Sequence, residues 1–428
     1  MKPFEGKKLL ILGGNAETIH LVKKANELGV ETIVASRNPD SMAKACASKS
    51  YDIDATDVPA VVALARAENV SGILPGTDDI FVPAYCKACD VLGFPCYASS
   101  EIIEVFGYKD CFKATCERYG IHGVPEYYLD ASLNPRDLAR IRYPVMVKPV
   151  DCFSGIGMTE CSCEEELRPA VEKAIAASKS GRFIVEKLMT GADIGLYYTF
   201  KDGECSLSCM FDRYTTSEQS GSGRVALGNI YPSGYIDAYF ERLHENMKRL
   251  FSAMDIRNGV LLIQAFFEND NFYVYDTGFR LQSEASNLLI EHVCGYDQRE
   301  LLISFALTGS EGKLDLLKTD DPKMDGKVAA SVWFLLKEGT VGKIVGVEEI
   351  ENDSRVIASV QRLFEGDRIL PSWPGTEQQV MLRLFLLCDT KKKLADAVKE
   401  VQRRIQVSDT DGNPMLLAGF DAAVALEV

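Results

Sequence analysis

At 428 residues the chain is too long for one hydrophobic core, so two or three domains are expected. Its 62 acidic against 47 basic residues give a net charge of −15, which speaks against nucleic acid as a partner, since phosphate-backbone binding needs a basic face. No apolar run reaches the roughly 20 residues of a membrane helix, and the start MKPFEGKKLLILGG shows no cleavage signature, so a cytoplasmic location with no membrane partner is expected.

Thirteen cysteines are spread along the chain. The tightest pairs, Cys86/Cys89 and Cys161/Cys163, lack a second pair at zinc-finger spacing, so reduced thiols are expected.

Residues 7–12 (KKLLIL) read as a strand, Gly13-Gly14-Asn15 as a turn, residues 16–28 as a helix and 31–35 as the next strand. That is a βαβ opening on a parallel sheet. Residues 71–74 form a further strand running into Pro75-Gly76-Thr77-Asp78-Asp79, followed by a helix to 91 and a strand at 94–97 (FPCY). Both turns lie at carboxyl ends of strands, where such sheets hold ligands. Gly-Gly-Asn is not G-x-G-x-x-G, which disfavours a dinucleotide-dependent oxidoreductase.

From 106 the pattern changes. Residues 107–121 read as an amphipathic helix with Lys109, Lys113 and Arg118. Residues 143–148 form a strand ending in Lys148, before a small-residue loop containing Ser154, Gly155 and Gly157. A lysine followed by a Gly/Ser loop suits phosphate, although a plain hairpin turn fits as well; the Walker A pattern is absent. Residues 182–189 (RFIVEKLM) form a strand carrying Glu186 and Lys187. It is either a hinge whose backbone reads an adenine edge or an edge strand with two solvated charges. Residues 217–228 read as a mobile loop over a site, and 237–254 as an amphipathic helix.

Two apolar runs, 260–267 and 272–275, then flank Glu268-Asn269-Asp270-Asn271 as a β-hairpin. Asp276, Arg280, Gln282 and Glu284 follow in a burst, running into a helix at 285–293. Charges crowded at the end of buried strands are costly unless they serve a ligand, so this cluster is the candidate reaction centre. Beyond it come a helix to 308, a polar boundary at 310–326, strands at 328–336 and 340–347, a helix at 354–364, a strand at 378–388 and a helix at 391–405. This tail shows no polar constellation and reads as a packing or dimerisation domain.

The order of these pieces resembles the ATP-grasp superfamily, in its carboxylate–amine ligase and biotin carboxylase branch. Arg280-Leu281-Gln282-Ser283-Glu284 is similar to biotin carboxylase's Arg-x-Gln-x-Glu. Asp212-Arg213-Tyr214 and Tyr275-Asp276-Thr277-Gly278-Phe279-Arg280 look like short proteins similar to the carbamoyl-phosphate synthase large subunit. The resemblance implies an α/β and α+β architecture. A Rossmann-like pre-ATP-grasp domain would span 1–105, an ATP-grasp domain 106–309 with a lid at about 122–200, and a biotin carboxylase-like α+β domain 310–428.

It also implies ATP and Mg2+ as cofactors. Lys109 and Lys148 would hold phosphates, with Ser154, Gly155 and Gly157 closing over them. Glu186, Lys187, Leu188 and Met189 would line the adenine pocket, with Asp193 near the ribose. Arg280 would face the transferred phosphoryl group, beside Gln282, and Glu284 would be a general base. The family's metal ligands Glu, Glu and Asn fall here on Gln264, Asp276 and Gly278, which implies a weakened metal site, completed by water or by Glu284. The implied activity is an ATP-dependent ligase that activates a carboxylate as an acyl phosphate for attack by an amine, the acceptor lying between 13–15, 77–79 and 282–284. A homodimer is the family's habit. Biotin carboxylation is disfavoured, because no match to that enzyme's third-domain arginine is found. The alternative is a non-catalytic ATP-binding protein with a degenerate metal site.

Overall fold

The computed structural model describes residues 2–152, 155–216 and 224–423. The chain opens with a parallel sheet of four short strands, β1 (Lys8–Leu12), β2 (Glu31–Ala35), β3 (Lys49–Tyr51) and β4 (Gly72–Pro75), in the order β3-β2-β1-β4. KLLIL, ETIVA and GILP are near-continuous apolar runs because helices cover this sheet. The helix Val58–Glu68 is not announced by apolar period; caps define it instead. Asp57 accepts the Ala60 N–H, a proline sits in the first turn and Asn69 closes the end in a left-handed conformation.

Several sequence expectations need correction here. Residues 94–97 are not a strand: Pro95 has no N–H to give a ladder, and the Tyr97 N–H donates to the Tyr85 hydroxyl. The helix expected over 107–121 runs only over Lys109–Glu117, and a separate, unexpected helix, Ser100–Gly107, precedes it, the two parted at Tyr108 (φ −127°, ψ 120°). The break makes Lys109 the first residue of a helix, with its N–H donating to the Val150 carbonyl. The helix expected over 237–254 likewise divides into Ile236–Arg242 and His244–Ala253. All thirteen cysteines are free thiols, and no helix among the described residues is long and apolar enough to cross a membrane.

A second, antiparallel sheet consists of β5 (Glu126–Tyr127), β6 (Val145–Pro149), β7 (Thr159–Cys161) and β8 (Phe183–Lys187), in the order β5-β8-β6-β7. The helix Glu164–Ala177 backs it, burying Leu167, Ala170, Val171 and Ala174.

The largest sheet has eight strands. Its first half is β9 (Ala192–Lys201), β10 (Glu204–Thr215), β11 (Ala226–Tyr231), β12 (Gly259–Glu268) and β13 (Asn271–Gly278). β12 and β13 form the expected hairpin, and Asn269 and Asp270 both adopt positive φ (50° and 62°), as a two-residue type I′ turn requires. Of the loop expected at 217–228, residues 226–228 are in β11, paired with β10 and β14, and 217–223 lie outside the described residues.

The sheet continues through β14 (Val328–Leu335), with the polar segment 310–326 packed on its way there: Leu316 and Met324 are buried, and Asp320 accepts from Tyr296 and Ser208. β15 (Gly339–Val345), β17 (Arg368–Ile369) and β19 (Gln406–Asp409) make a small separate sheet. β16 (Val356–Gln361) and β18 (Val380–Cys388) complete the eight-stranded order β13-β12-β9-β10-β11-β14-β18-β16. The helix expected at 354–364 is thus the strand β16: its branched residues Val356, Ile357 and Val360 suit the pleated edge it forms on β18. The helix Lys391–Arg404 buries Leu394, Ala397, Val398 and Val401 behind this half.

One buried cation ties the ends of the chain together. Arg383, fully buried on β18, stacks on the Trp333 ring at 4.0 Å and pairs with Glu17, just before the first helix of the parallel sheet. The same guanidinium donates to the Ser283 carbonyl and, at 3.2 Å, to Glu377. Arg362 lies 3.5 Å from the same Glu17 carboxylate. The tail therefore holds a polar constellation that the sequence reading missed. Removing one partner of a buried pair leaves an uncompensated charge. Arg383→Met is expected to lower the unfolding free energy by about 3–5 kcal/mol, read from urea midpoints; a loss below about 1 kcal/mol, the ordinary surface range, would contradict the role.

Glu311 gives a second prediction. It is 4% exposed and its Oε2 has no hydrogen-bond partner among the described residues. Burial pushes its carboxyl up to about 8 from an ordinary 4.5. A carboxyl raised on folding opposes folding once ionised, so stability is greatest below its unfolded value and falls as pH rises towards the folded one. Glu311→Gln should match the native chain near about pH 5 and exceed it by a few kcal/mol near about pH 8. Urea titrations at the two pH values check this, and a difference independent of pH would refute it.

Candidate active site

The second sheet, the β12–β13 hairpin, the segment after it and the 375–377 loop enclose one cavity of about 430 Å³. Its charged groups come from distant parts of the chain. Lys109, at a helix start, lies 3.0 Å from Asp276 on β13 and donates to the Cys152 carbonyl at 2.8 Å. Lys148, at the end of β6, lies 2.5 Å from Glu186 on the adjacent β8 and sits over the Tyr275 ring. Glu186 is also held by Lys113 at 2.6 Å, which in turn meets Glu126 at 2.9 Å. The Glu186 carboxylate is therefore shared between two lysines while lining the cavity, and it fixes where Lys148 points. Lys187 pairs with Glu268, and the backbone N–H groups of Lys187 and Leu188 donate to Pro125 and Pro144.

A second group of charges lies further along. Arg213 on β10 faces Glu284 at 3.4 Å and Asp193 at 3.9 Å. Asp193 accepts the Tyr275 hydroxyl at 2.8 Å, and Glu284 accepts Asn229 at 3.1 Å. Burial pushes the Asp193 carboxyl up to about 6, against the pull of Arg213. Arg280 pairs with Asp79 and donates to the Gln282 side chain, whose amide donates back to the Gly278 carbonyl at 2.7 Å. Burial raises the Asp79 carboxyl, although Arg280 opposes the rise.

Gln264 sits directly across from Asp276 in the β12–β13 register, just before a bulge, and both line the cavity. Gly278 contributes no side chain, and a Cβ there would come within 3.0 Å of an Asp79 oxygen. Among the described residues no three His, Cys, Asp or Glu side chains are grouped to hold a metal. Two hard oxygen donors facing each other do suit Mg2+, provided phosphate and water oxygens complete the shell.

Of the residues expected from sequence, Lys109, Lys148, Gly155, Glu186, Lys187, Leu188, Met189, Asp193, Gln264, Asp276, Arg280, Gln282 and Glu284 all line this one cavity. Gly157 does not: with φ +74°, its α-carbon packs towards Ala177 and Pro149. Ser154 lies outside the described residues. The loops at 13–15 and 77–79 mostly close on each other, Asn15 joining Thr77 at 2.9 Å and Asp78 at 3.1 Å, and of them only Asp79 reaches the cavity wall. Lys113, Arg213, Glu377 and Arg383 were given no role from sequence. Lys113 lies one helical turn from Lys109 on the same face, and Arg383 is a lone charge in VMLRLFLLC, which had to find a partner.

Residues 130–210 match the family described as D-ala D-ala ligase C-terminus. Over 185 residues the chain is 28% identical to formate-dependent phosphoribosylglycinamide formyltransferase of Wolinella succinogenes, an alignment covering 42% of this chain and 48% of that protein. Over 278 residues it is 25% identical to the carbamoyl phosphate synthase large chain of Clostridium beijerinckii, covering 61% of this chain and 25% of that one. The chain thus spans about half the length of the formyltransferase it matches. Biotin carboxylase from Campylobacter jejuni, solved as a β-γ-ATP complex, superposes with a TM-score of 0.73 at 17% identity, covering 98% of this chain and 94% of that one. The chain thus has the ATP-grasp fold that the biotin carboxylase superposition shows, and over part of its length it is similar in sequence to the D-ala D-ala ligase C-terminus, to the formyltransferase and to the carbamoyl phosphate synthase large chain.

Proposed function

We propose that the protein is an ATP-dependent ligase. A carboxylate substrate attacks the γ-phosphorus of ATP, giving an acyl phosphate and ADP; an amine then attacks the acyl carbon and phosphate leaves. The observation that carries this reading is the convergence of Lys109, Lys148, Asp276 and Arg280, from three separate segments, on one cavity. Phosphoryl transfer asks a protein mainly for positioning and charge neutralisation, which is what such a set supplies.

Lys109 and Lys148 hold the phosphates, and Glu186 fixes Lys148 for the task. The backbone around Leu188 and Met189 borders the adenine, and Gly155 lies in the loop that covers the phosphates. Arg280 faces the transferring phosphoryl group once it exchanges Asp79 for it. Glu284, held by Asn229, takes the proton that the amine must lose. Asp276 and Gln264 would hold Mg2+, which would supply neutralisation of the phosphate charge. With one carboxylate between them, this is a weakened metal site. Gln264 and Gly278 favour a second reading, a nucleotide-binding protein without turnover.

Incubation with ATP, Mg2+ and pools of carboxylic and amino acids is expected to release phosphate for some pair. Silence across broad pools, with ATP still bound, would establish the second reading instead. Asp276→Ala should cut phosphate release by about 10–100-fold. Gln264→Glu, which restores a carboxylate opposite Asp276, should lower the Mg2+ concentration that gives half-maximal release or, failing turnover, half-maximal Mg2+-dependent ATP binding by calorimetry. An unchanged Mg2+ requirement in Gln264→Glu would remove both residues from the metal site.

A further inference from the structure

The 375–377 loop enters the cavity wall from the C-terminal half of the chain, far in sequence from the other residues that line the cavity. It is pinned. Gln379, 4% exposed, accepts the Gly375 N–H at 2.7 Å and donates to the Leu336 carbonyl at 2.9 Å. The Thr376 side chain caps the short turn that follows. Glu377 is held on one oxygen: Oε2 lies 3.2 Å from Arg383 and 3.9 Å from Arg362. Its other oxygen, Oε1, takes no hydrogen bond among the described residues, and the side chain keeps 21% exposure while lining the cavity. Burial favours the neutral acid here, but the guanidiniums of Arg383, Arg362, Arg213 and Arg280 outweigh it and hold the carboxyl below its ordinary range. A rigid, ionised carboxylate with one free oxygen is a built acceptor of hydrogen bonds from a ligand.

We propose that Glu377 is the residue that binds the incoming nucleophile, by accepting from the N–H groups of its ammonium form, and that Arg383 is the positioning residue for it. Arg383 also grips the Ser283 carbonyl, so a single guanidinium sets the distance between Glu377 and the Glu284 that deprotonates the amine. This rests on the ligase reading above. It predicts selectivity against anionic acceptors: Arg280 is already paired with Asp79, and Arg213 faces Glu284 and Asp193, so an anion would have to displace a carboxylate to gain a partner.

Calorimetry on the full chain saturated with MgADP tests the binding directly, with ammonium chloride, ethanolamine, glycine, bicarbonate and formate as probes. At least one amine probe should bind, and Glu377→Gln should weaken it by about tenfold or more, the worth of one hydrogen bond to a charged group. Arg383→Lys, corrected for its folded fraction, should weaken the same probe by more than it weakens MgADP, whereas an equal loss of both would overturn the positioning role. Glu377→Asp, which keeps the charge and draws it back by one methylene, serves as the second variant and should weaken binding in the same direction. Amine binding undiminished in Glu377→Gln, no amine binding by the native chain, or preferential binding of bicarbonate or formate would each overturn the assignment. Phosphate release with ATP is followed separately. Its absence beside Glu377-dependent amine binding would sink the ligase reading alone, and its presence beside Glu377-independent binding would sink this inference alone.

Discussion

A guanidinium with no route to water fixes how this molecule is assembled. Arg383 stands in a nine-residue apolar strand, so its charge had to be met inside the protein. It is met by Glu17 from the N-terminal sheet, by the Ser283 carbonyl beside the reaction centre and by Glu377 in the cavity wall. Stacking on Trp333 covers one face of it. Because a buried ion pair is only worth its desolvation when the geometry is good, the three segments cannot drift relative to one another without exposing that cost. The position of Glu284 in the cavity thus depends on a contact made by the residue before it.

The same rule governs the cavity. Among the described groups lining it, most charges already have a partner: Lys109 with Asp276, Lys148 with Glu186, Arg280 with Asp79, Arg213 with Glu284. In the ligase proposed above, a nucleotide would enter a set of pairs and replace one carboxylate by phosphate at each lysine it takes. The pairs keep the cations positioned and solvated by protein before the ligand arrives, which is the preorganisation that phosphoryl transfer calls for. Glu186 differs from the rest in being shared between Lys113 and Lys148, so it would keep a partner if Lys148 turned to a phosphate.

How far the sequence was legible follows from how local each signal is. The hairpin could be read because two apolar runs flank Asn269 and Asp270, whose side chains tolerate positive φ. The cluster after it could be read because Asp276, Arg280, Gln282 and Glu284 crowd within nine residues. The βαβ opening followed from continuous apolar runs. The strand β16 was misread because VIASVQ carries no period that separates an edge strand from a short helix. The helix Ser100–Gly107 was missed because the helix expected from sequence began only at Gly107; the Lys109 N–H that opens the next helix turns to the carbonyl of Val150, 41 positions on in sequence.

By itself, the sequence determined which residues of the lysine-bearing segments and the hairpin gather at one cavity, since those residues are set by local order and spacing. Which carboxylate faces which cation was decided by tertiary structure alone. Glu186 binds two lysines, Asp79 reaches Arg280 across 201 positions, and Arg383 joins Glu17 across 366. Pairing between such distant groups leaves no trace in a local pattern. It arises because the folded interior excludes water, and each buried charge then takes whatever partner the packing of the sheets brings within reach.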